Sequence, residues 1–332
     1  MAYITINRDN FFFNLDQIKQ KVGSIDKIAI VLKDNAYGHG IRLIAKLSHE
    51  YGIKHAVVKN TQEALEIKAY FQTVLILNDT PIEDSKLYFS INSITALHML
   101  HNKANIELKI DTGMHRNGIA MEEIDEAIEL IESKKLNLKG IMTHFRSADE
   151  LSSELFWQQK NFAQSIAKLK NTPFTAVRVH SQNSSATLRM KHFDEDLVRI
   201  GISAYGYNEL GSTFDPLELR PIISLYTNKV TSRKLTQSSC IGYGGEGILA
   251  RDSVVSTYDI GYGDGWLRAS KNMPIDDTLQ IVGRVSMDFI TINSDKETVC
   301  IMNNAQKVAR YCDTISYEIT TRLDHQIKRV II

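Results

Sequence analysis

Lys27-Ile28-Ala29-Ile30-Val31-Leu32-Lys33-Asp34-Asn35-Ala36-Tyr37-Gly38-His39-Gly40 is an apolar, β-like run that ends on a lysine and a glycine-containing turn. An unpaired ammonium at the end of a buried strand is costly, so such a lysine is commonly neutralised, paired or covalently engaged. A lysine made less basic by a closed site is what Schiff-base chemistry needs. The alternative is a surface lysine where the strand meets solvent. Which of the two holds depends on what the rest of the chain brings to the same place.

The run at 27–33 starts a rhythm. Apolar stretches recur at 55–59, 73–77, 87–91, 106–111, 138–144, 176–180 and 197–202. Most are separated by segments with apolar residues at i, i+3 and i+4, as in Ile41, Ile44 and Leu47 or in 121–133 and 153–169. Eight buried strands alternating with helices predict a parallel sheet covered by helices, and eight is the count that closes a (β/α)₈ TIM-type barrel. An open doubly wound sheet is the alternative, although no Gly-rich dinucleotide fingerprint follows the first strand. Upstream, 3–6 reads as a short strand, and Asp9 or Asn10 as the cap of a helix carrying Leu15, Ile18 and Val22. Beyond about residue 215 the texture changes. Pro216 and Pro221 punctuate a linker, and short alternating runs at 222–230, 253–260, 279–285 and 289–292 predict a smaller, mostly β domain. The expected division is 8–217 for the barrel and 218–332 for the C-terminal β domain, with the strand in 1–7 joining the latter. Tyr205-Gly206-Tyr207 reads as a strand end.

Lysine plus arginine and aspartate plus glutamate balance at 39 each, so no whole-chain field favours nucleic acid or an anionic membrane as partner. Cys240, Cys300 and Cys312 are widely spaced, without metal-ligand spacing, and suggest reduced thiols in a cytoplasmic protein. The ten histidines have no metal spacing either, and no apolar run approaches a membrane span. The N-terminal residues carry no signal core.

In a barrel of this kind chemistry sits at the carboxyl ends of the strands. The residues there are Lys33, Lys109, Arg116, His144, His180, Asn183, Ser184, Arg199, Gly201 and Ile202, rich in cations and small polar donors. The loops after strands seven and eight are the fold's usual phosphate site. Here they carry Asn183-Ser184, with hydroxyl and backbone donors for a dianion, and Gly201, which permits close backbone approach. An ordinary helix cap is the commoner use of an Asn-Ser pair.

Several stretches together resemble the alanine racemase family, whose members are pyridoxal 5'-phosphate (PLP) enzymes. Lys33-Asp34-Asn35-Ala36-Tyr37-Gly38-His39-Gly40 resembles the family's PLP-lysine motif, with Asp34 where Ala is usual. Leu108-Lys109-Ile110-Asp111-Thr112-Gly113-Met114-His115-Arg116-Asn117-Gly118 resembles its middle motif. Gly261-Tyr262-Gly263-Asp264-Gly265-Trp266 resembles its catalytic-tyrosine motif, with Gly263 where Ala is usual. Gly283-Arg284-Val285-Ser286-Met287-Asp288, with Ser286 for a common Cys, and Ile315-Ser316-Tyr317-Glu318 match two more. Each is weakly specific alone, and five in the same order are highly specific.

The resemblance implies a barrel plus a C-terminal β domain, PLP as cofactor and interconversion of L-alanine and D-alanine, which supplies D-alanine for peptidoglycan. It implies that Lys33 carries PLP covalently and acts as one α-proton base. Tyr262, delivered from the second subunit of a homodimer, would be the base on the opposite face. Tyr37, Ser184, Gly201, Ile202 and Tyr317 would hold the phosphate, His144 would pack by the ring, and Arg199 would face the pyridine nitrogen. Arg116 would contact the substrate carboxylate, Met287 would offer its backbone N–H, and Lys109 matches a lysine that is often carbamylated.

Elementary chemistry is consistent with these roles. Racemisation removes a proton on one face and returns one on the other, which two fixed bases accomplish without moving the substrate. A tyrosine, with a solution pKa of about 10, needs a nearby cation to work as a phenolate, and Arg116 is the candidate. Arginine is a donor only, so Arg199 bonds the pyridine nitrogen only while that nitrogen is unprotonated, which weakens the ring as an electron sink and restrains transamination. The structural alternatives are a barrel-interior ion pair for Arg199 and a turn tyrosine for Tyr262. Three rival functions remain: a broad-specificity amino-acid racemase, a non-catalytic PLP-homeostasis protein built from the barrel alone, and a fold-related decarboxylase, which Arg199 disfavours.

Overall fold

A computed structural model describes residues 1–170, 172–211, 213–214 and 217–332. Pro216, expected in the linker, lies outside the described residues. The chain forms two compact units, one of Phe12–Ala36 with Ile41–Leu219, the other of Met1–Phe11, Tyr37–Gly40 and Arg220–Ile332.

The strands, in chain order, are β1 (Tyr3–Ile6), β2 (Ile28–Val31), β3 (His55–Val58), β4 (Thr73–Ile76), β5 (Leu87–Ile91), β6 (Asn105–Asp111), β7 (Ile119–Ala120), β8 (Asn137–Met142), β9 (Arg178–His180) and β10 (Val198–Ile200). In the first unit, β10, β2, β3, β4, β5, β6, β8 and β9 pair side by side and all in parallel, with the short β7 beside β6. Two backbone bonds cross the remaining seam between β9 and β10, Asp196 N–H to Val179 O at 3.0 Å and Arg199 N–H to Gln182 O at 2.9 Å. The result is a nearly closed eight-stranded parallel barrel. The strand residues that pack against the covering helices are apolar. Ile28–Val31 is buried at every position, and Ile106, Leu108, Ile110, Ile141 and Leu138 join one core with Ile124, Ala127 and Ile131 of the helix Ile124–Ser133. Cutting a fully buried member such as Ile141 back to alanine is worth about 2–5 kcal/mol.

The second unit is mostly β. Its strands are β11 (Ile223–Leu235), β12 (Cys240–Ile241), β13 (Gly247–Ile248), β14 (Ser253–Tyr258), β15 (Ile290–Ile292), β16 (Thr298–Met302) and β17 (Lys328–Ile331). The first half of β11 alternates buried and part-exposed residues and pairs antiparallel with β1 and β16. A register shift between Lys229 and Thr231 hands its second half to β14, which continues to β15. β17 runs parallel to β1 on that strand's other side.

Three local readings of the sequence need correction. The first helix, Arg8–Val22, is entered through Asn7, whose Oδ1 accepts from Asn10 N–H at 2.8 Å, rather than through Asp9 or Asn10. The apolar run 279–285 makes isolated bridges, such as Ile281 to Ile292, and no strand. There Gly283 takes φ +79° and its N–H bonds Asn272 Oδ1, so the chain turns out of any ladder. Tyr205 sits in a turn and Tyr207 just past it, both fully buried, with the Tyr205 hydroxyl donating to Val31 O at 2.8 Å.

Candidate active site

β2 ends at Val31, and Lys33 begins a turn of the opposite hand to an ordinary helix. Asp34, Asn35, Ala36 and Tyr37 all have φ between +51° and +55°. Each non-glycine residue in that region costs about 1–2 kcal/mol, less for Asp and Asn. The surroundings enforce the turn. Asn35 N–H donates to Glu63 Oε1 at 3.0 Å, and Asn35 Oδ1 accepts from Ile41 N–H at 2.8 Å. Glu63 Oε2 also accepts from Lys59 N–H, while the Lys59 ammonium pairs with Asp34 at 3.0 Å. The departure at Asp34 thus has a physical account: aspartate tolerates the left-handed region better than alanine, and it gains Lys59.

Lys33 stands in a crowd of cations. Burial lowers its ammonium below the ordinary lysine range, Asp34 opposes this, and Arg116 and Lys59 add to it. Lys109, on the inward face of β6 and 7% exposed, is lowered to about 8 by burial and by Arg116 and Arg199, and donates to Asn117 Oδ1. Burial, then Arg199, Lys109, Arg116 and Lys33, holds His144 well below the usual imidazole range, so it stays neutral. Arg116 is exposed on the loop after β6. The barrel unit therefore gathers Lys33, Lys109, Arg116, His144 and Arg199 within electrostatic reach of one another, an arrangement that invites anions.

Arg199 lies in β10 and is 4% exposed. Its NH1 donates to His180 Nδ1 at 2.7 Å and to His180 O at 3.0 Å. Its NH2 donates to Thr143 O at 2.7 Å and Ser181 O at 2.9 Å. Four of the five guanidinium N–H groups are spent on neutral acceptors, which leaves the Nε–H for a further acceptor. A heteroaromatic nitrogen carrying a lone pair fits that donor. After β9, Asn183 caps the helix Ser184–Arg189 by accepting from Ala186 N–H at 2.9 Å, the plainer use of that residue. Ser184 Oγ accepts from Gly201 N–H at 2.9 Å, and Ile202 is buried beside it in sequence. A phosphate held there would exchange the Ser184–Gly201 bond for bonds of its own.

The remaining candidates belong to the β-rich unit. Tyr37 and Tyr317 meet edge to face, ring centres 5.5 Å apart at 72°. Their approach depends on Gly38, where a Cβ would come 1.9 Å from Thr320 O. Tyr262 lies in a tight turn after β14 and is 40% exposed. Its N–H bonds Ser286 O at 3.0 Å, and Gly263 N–H bonds Met287 O at 2.8 Å, so Met287, 55% exposed, is its neighbour. Among the described residues no cluster of His, Cys, Asp and Glu suits a metal ion, and no helix is long and apolar enough to cross a membrane.

Some site residues escaped the sequence. Glu63, which braces the lysine turn, resembles any helix glutamate. Glu107 and Arg178, behind His180, read as ordinary strand positions. The one available signal was charge recurring at i, i+2 inside apolar runs, at Glu107 and Lys109 and at Arg178 and His180.

Comparison with known proteins gives a consistent result. The alanine racemase N-terminal domain profile matches residues 6–209 and the C-terminal domain profile matches residues 222–331. An alanine racemase of a Nitratiruptor species is 45% identical over 333 residues, 99% of each chain. The crystal structure of an alanine racemase from Bacillus anthracis with bound L-Ala-P superposes with a TM-score of 0.90 at 28% identity, covering 100% of this chain and 95% of that one. One from Bartonella henselae, with covalently bound pyridoxal phosphate, gives 0.84 at 26% identity, covering 100% and 99%.

Proposed function

Since the chain belongs to the alanine racemase family, a PLP-dependent enzyme that interconverts L-alanine and D-alanine, we propose that Lys33 and Tyr262 are its two proton-transferring bases. Bound PLP supplies an electron sink that acidifies the substrate's α C–H. Lys33 would carry the cofactor covalently, and its lowered basicity favours the neutral amine that can take a proton from one face. Tyr262 serves the other face, from the second subunit of a homodimer. Its exposure, with those of Met287 and Phe289 nearby in sequence, supports a role outside its own barrel.

The other assignments follow the chemistry of the groups. Tyr37, Tyr317, Ser184, Gly201 and Ile202 bind the phosphate, and Asn183 shapes that loop through its cap. Arg116 faces the substrate carboxylate and lends positive charge to the tyrosine, while the Met287 backbone N–H stands near the same end. His144 packs beside the ring. Lys109, with a basicity low enough to leave a sizeable fraction of neutral amine, adds through its nitrogen to the carbon of carbon dioxide and releases one N–H proton to solvent, and the resulting carbamate carboxylate would relieve the repulsion among Arg116, Arg199 and Lys33. The role is supply of D-alanine for peptidoglycan in the cytoplasm.

The observation that carries the reading is Arg199. A guanidinium fixed by four neutral acceptors, with one N–H left, is a donor that never accepts a proton from its partner. It therefore favours an unprotonated ring nitrogen and a modest electron sink, which suits reversible proton exchange better than transamination or decarboxylation. The test is the chirality of product from purified protein given L-alanine, with and without PLP, alongside L-serine and L-lysine. PLP-dependent D-alanine formation, slow for the other two, is expected. Bound PLP with no racemisation of any of the three would refute the proposal, and equal activity on lysine would refute the alanine specificity.

A further inference from the structure

Inside the barrel, behind Arg199, runs a column of buried polar groups where side chains such as Val, Ile and Leu usually fill the layers. Glu107 is 0% exposed, and both its oxygens are taken: Oε1 by Arg178 Nε–H and Oε2 by His180 Nε2 at 2.7 Å. Arg178 is further fixed by Thr73 Oγ1 at 2.9 Å and by the face of Tyr88, 4.5 Å from its guanidinium carbon. The sheet register explains how Glu107 and Arg178 meet. Gly140 on β8 is paired with Glu107 on one side and with Arg178 on the other. A Cβ at 140 would lie 2.8 Å from the Glu107 carboxyl carbon, so the glycine makes the space in which the two charges join.

The protons in this column are determined by what each group can do. Arg199 cannot accept, so His180 Nδ1, which faces its NH1 at 2.7 Å, must be bare. The imidazole proton is then on Nε2 and is donated to Glu107. We infer that Glu107 and Arg178 are positioning residues for Arg199: the carboxylate, held by Arg178, fixes the His180 proton on Nε2 and so presents Nδ1 as the acceptor that seats the guanidinium. The catalytic consequence rests on the proposed role of Arg199 toward the cofactor's ring nitrogen.

Glu107→Gln is a sharp perturbation because it keeps the shape. The charge-assisted bond to Arg178 is the stronger of the two, so the amide oxygen should stay there. The amide NH₂ then faces His180 Nε2 and favours the opposite tautomer, with the proton on Nδ1 pointing at the Arg199 N–H. The measurement is ¹⁵N NMR of histidine-labelled, PLP-loaded protein, the His180 signal being identified by its loss in a His180→Asn variant. Wild type should be in the Nε2–H form at neutral pH, a result that does not require a Glu107 variant to fold. Glu107→Gln should move His180 to the Nδ1–H form and raise slow transamination relative to racemisation by at least about threefold. A wild-type Nδ1–H form, or a Glu107→Gln protein that keeps Nε2–H, would overturn the inference, as would a lower melting temperature with neither readout changed. Arg199→Glu is measured in parallel. An unchanged transamination ratio there would refute the ring-nitrogen role, while the His180 signal would still decide whether Glu107 controls the tautomer.

Discussion

Replacing Gly261 by alanine should disable the tyrosine turn while leaving the cofactor in place. A Cβ at 261 would lie 2.1 Å from Met287 O and 2.5 Å from Asp288 N, both backbone atoms that cannot rotate away. Real Cβ contacts essentially never fall below 3.0 Å, so the turn and the 286–288 segment must separate by about 0.9 Å, the gap from 2.1 to 3.0 Å. Tyr262 is the next residue, anchored to the same segment through Ser286 O. A misplacement of about 1 Å at a reacting group costs roughly 10²-fold in rate, equivalent to about 2.7 kcal/mol in the barrier. Gly263→Ala is the internal control. There the nearest contact is 3.1 Å, relieved by a few tenths of an ångström, and activity should stay within about threefold of wild type. Initial rates of L-to-D and D-to-L conversion, with PLP content and melting temperature measured on the same preparations, separate the cases. A Gly261→Ala enzyme with near-full activity, or two variants equally impaired, would refute the placement of Tyr262 by this turn.

Three further outcomes are expected. Arg199→Glu should raise transamination relative to racemisation by about tenfold or more, a differential stabilisation of about 1.4 kcal/mol, and an unchanged ratio would undo the electron-sink argument. In ¹³C-bicarbonate the wild-type protein should give one carbamate resonance that Lys109→Ala lacks, and no resonance in wild type would remove the carbamylated lysine. Acid should destabilise the barrel early. Burial holds His180 down at about 4 against Glu107's opposing pull, and Arg178 brings buried Glu107 down to about 2 despite desolvation. Both lie below their unfolded values, so the unfolded chain binds more protons, and stability is lost as pH falls from about 6.5 toward 4 and then from about 4.5 toward 2. A urea midpoint that stays flat from neutral pH down to about 4 would contradict this.

The barrel was legible because its strands are continuous apolar runs in a regular alternation, a signal that survives ignorance of tertiary contacts. Lys33 stood out because a charge at the end of such a run is unusual. What escaped depends on partners far away in sequence. β17 begins Lys328-Arg329 and is too short to show a period of its own; it is a strand because β1 offers it a parallel edge. The left-handed turn at Asp34–Tyr37 has no sequence signature at Ala36 or Tyr37, and it stands because Glu63 and Ile41 hold Asn35. The run 279–285 resembles a strand in composition, yet Gly283 and Asn272 bend it away. That Glu107 pairs with Arg178 emerges only from the sheet register, which sets Gly140 between them.

The most direct test of the two-base account is Tyr262→Phe, assayed by exchange of the α-hydrogen of each alanine enantiomer with deuterated solvent. Loss of the phenol should suppress proton removal from one enantiomer by orders of magnitude and leave removal from the other, the work of Lys33, largely intact. Equal loss from both enantiomers, or from neither, would contradict the assignment of Lys33 and Tyr262 to opposite faces.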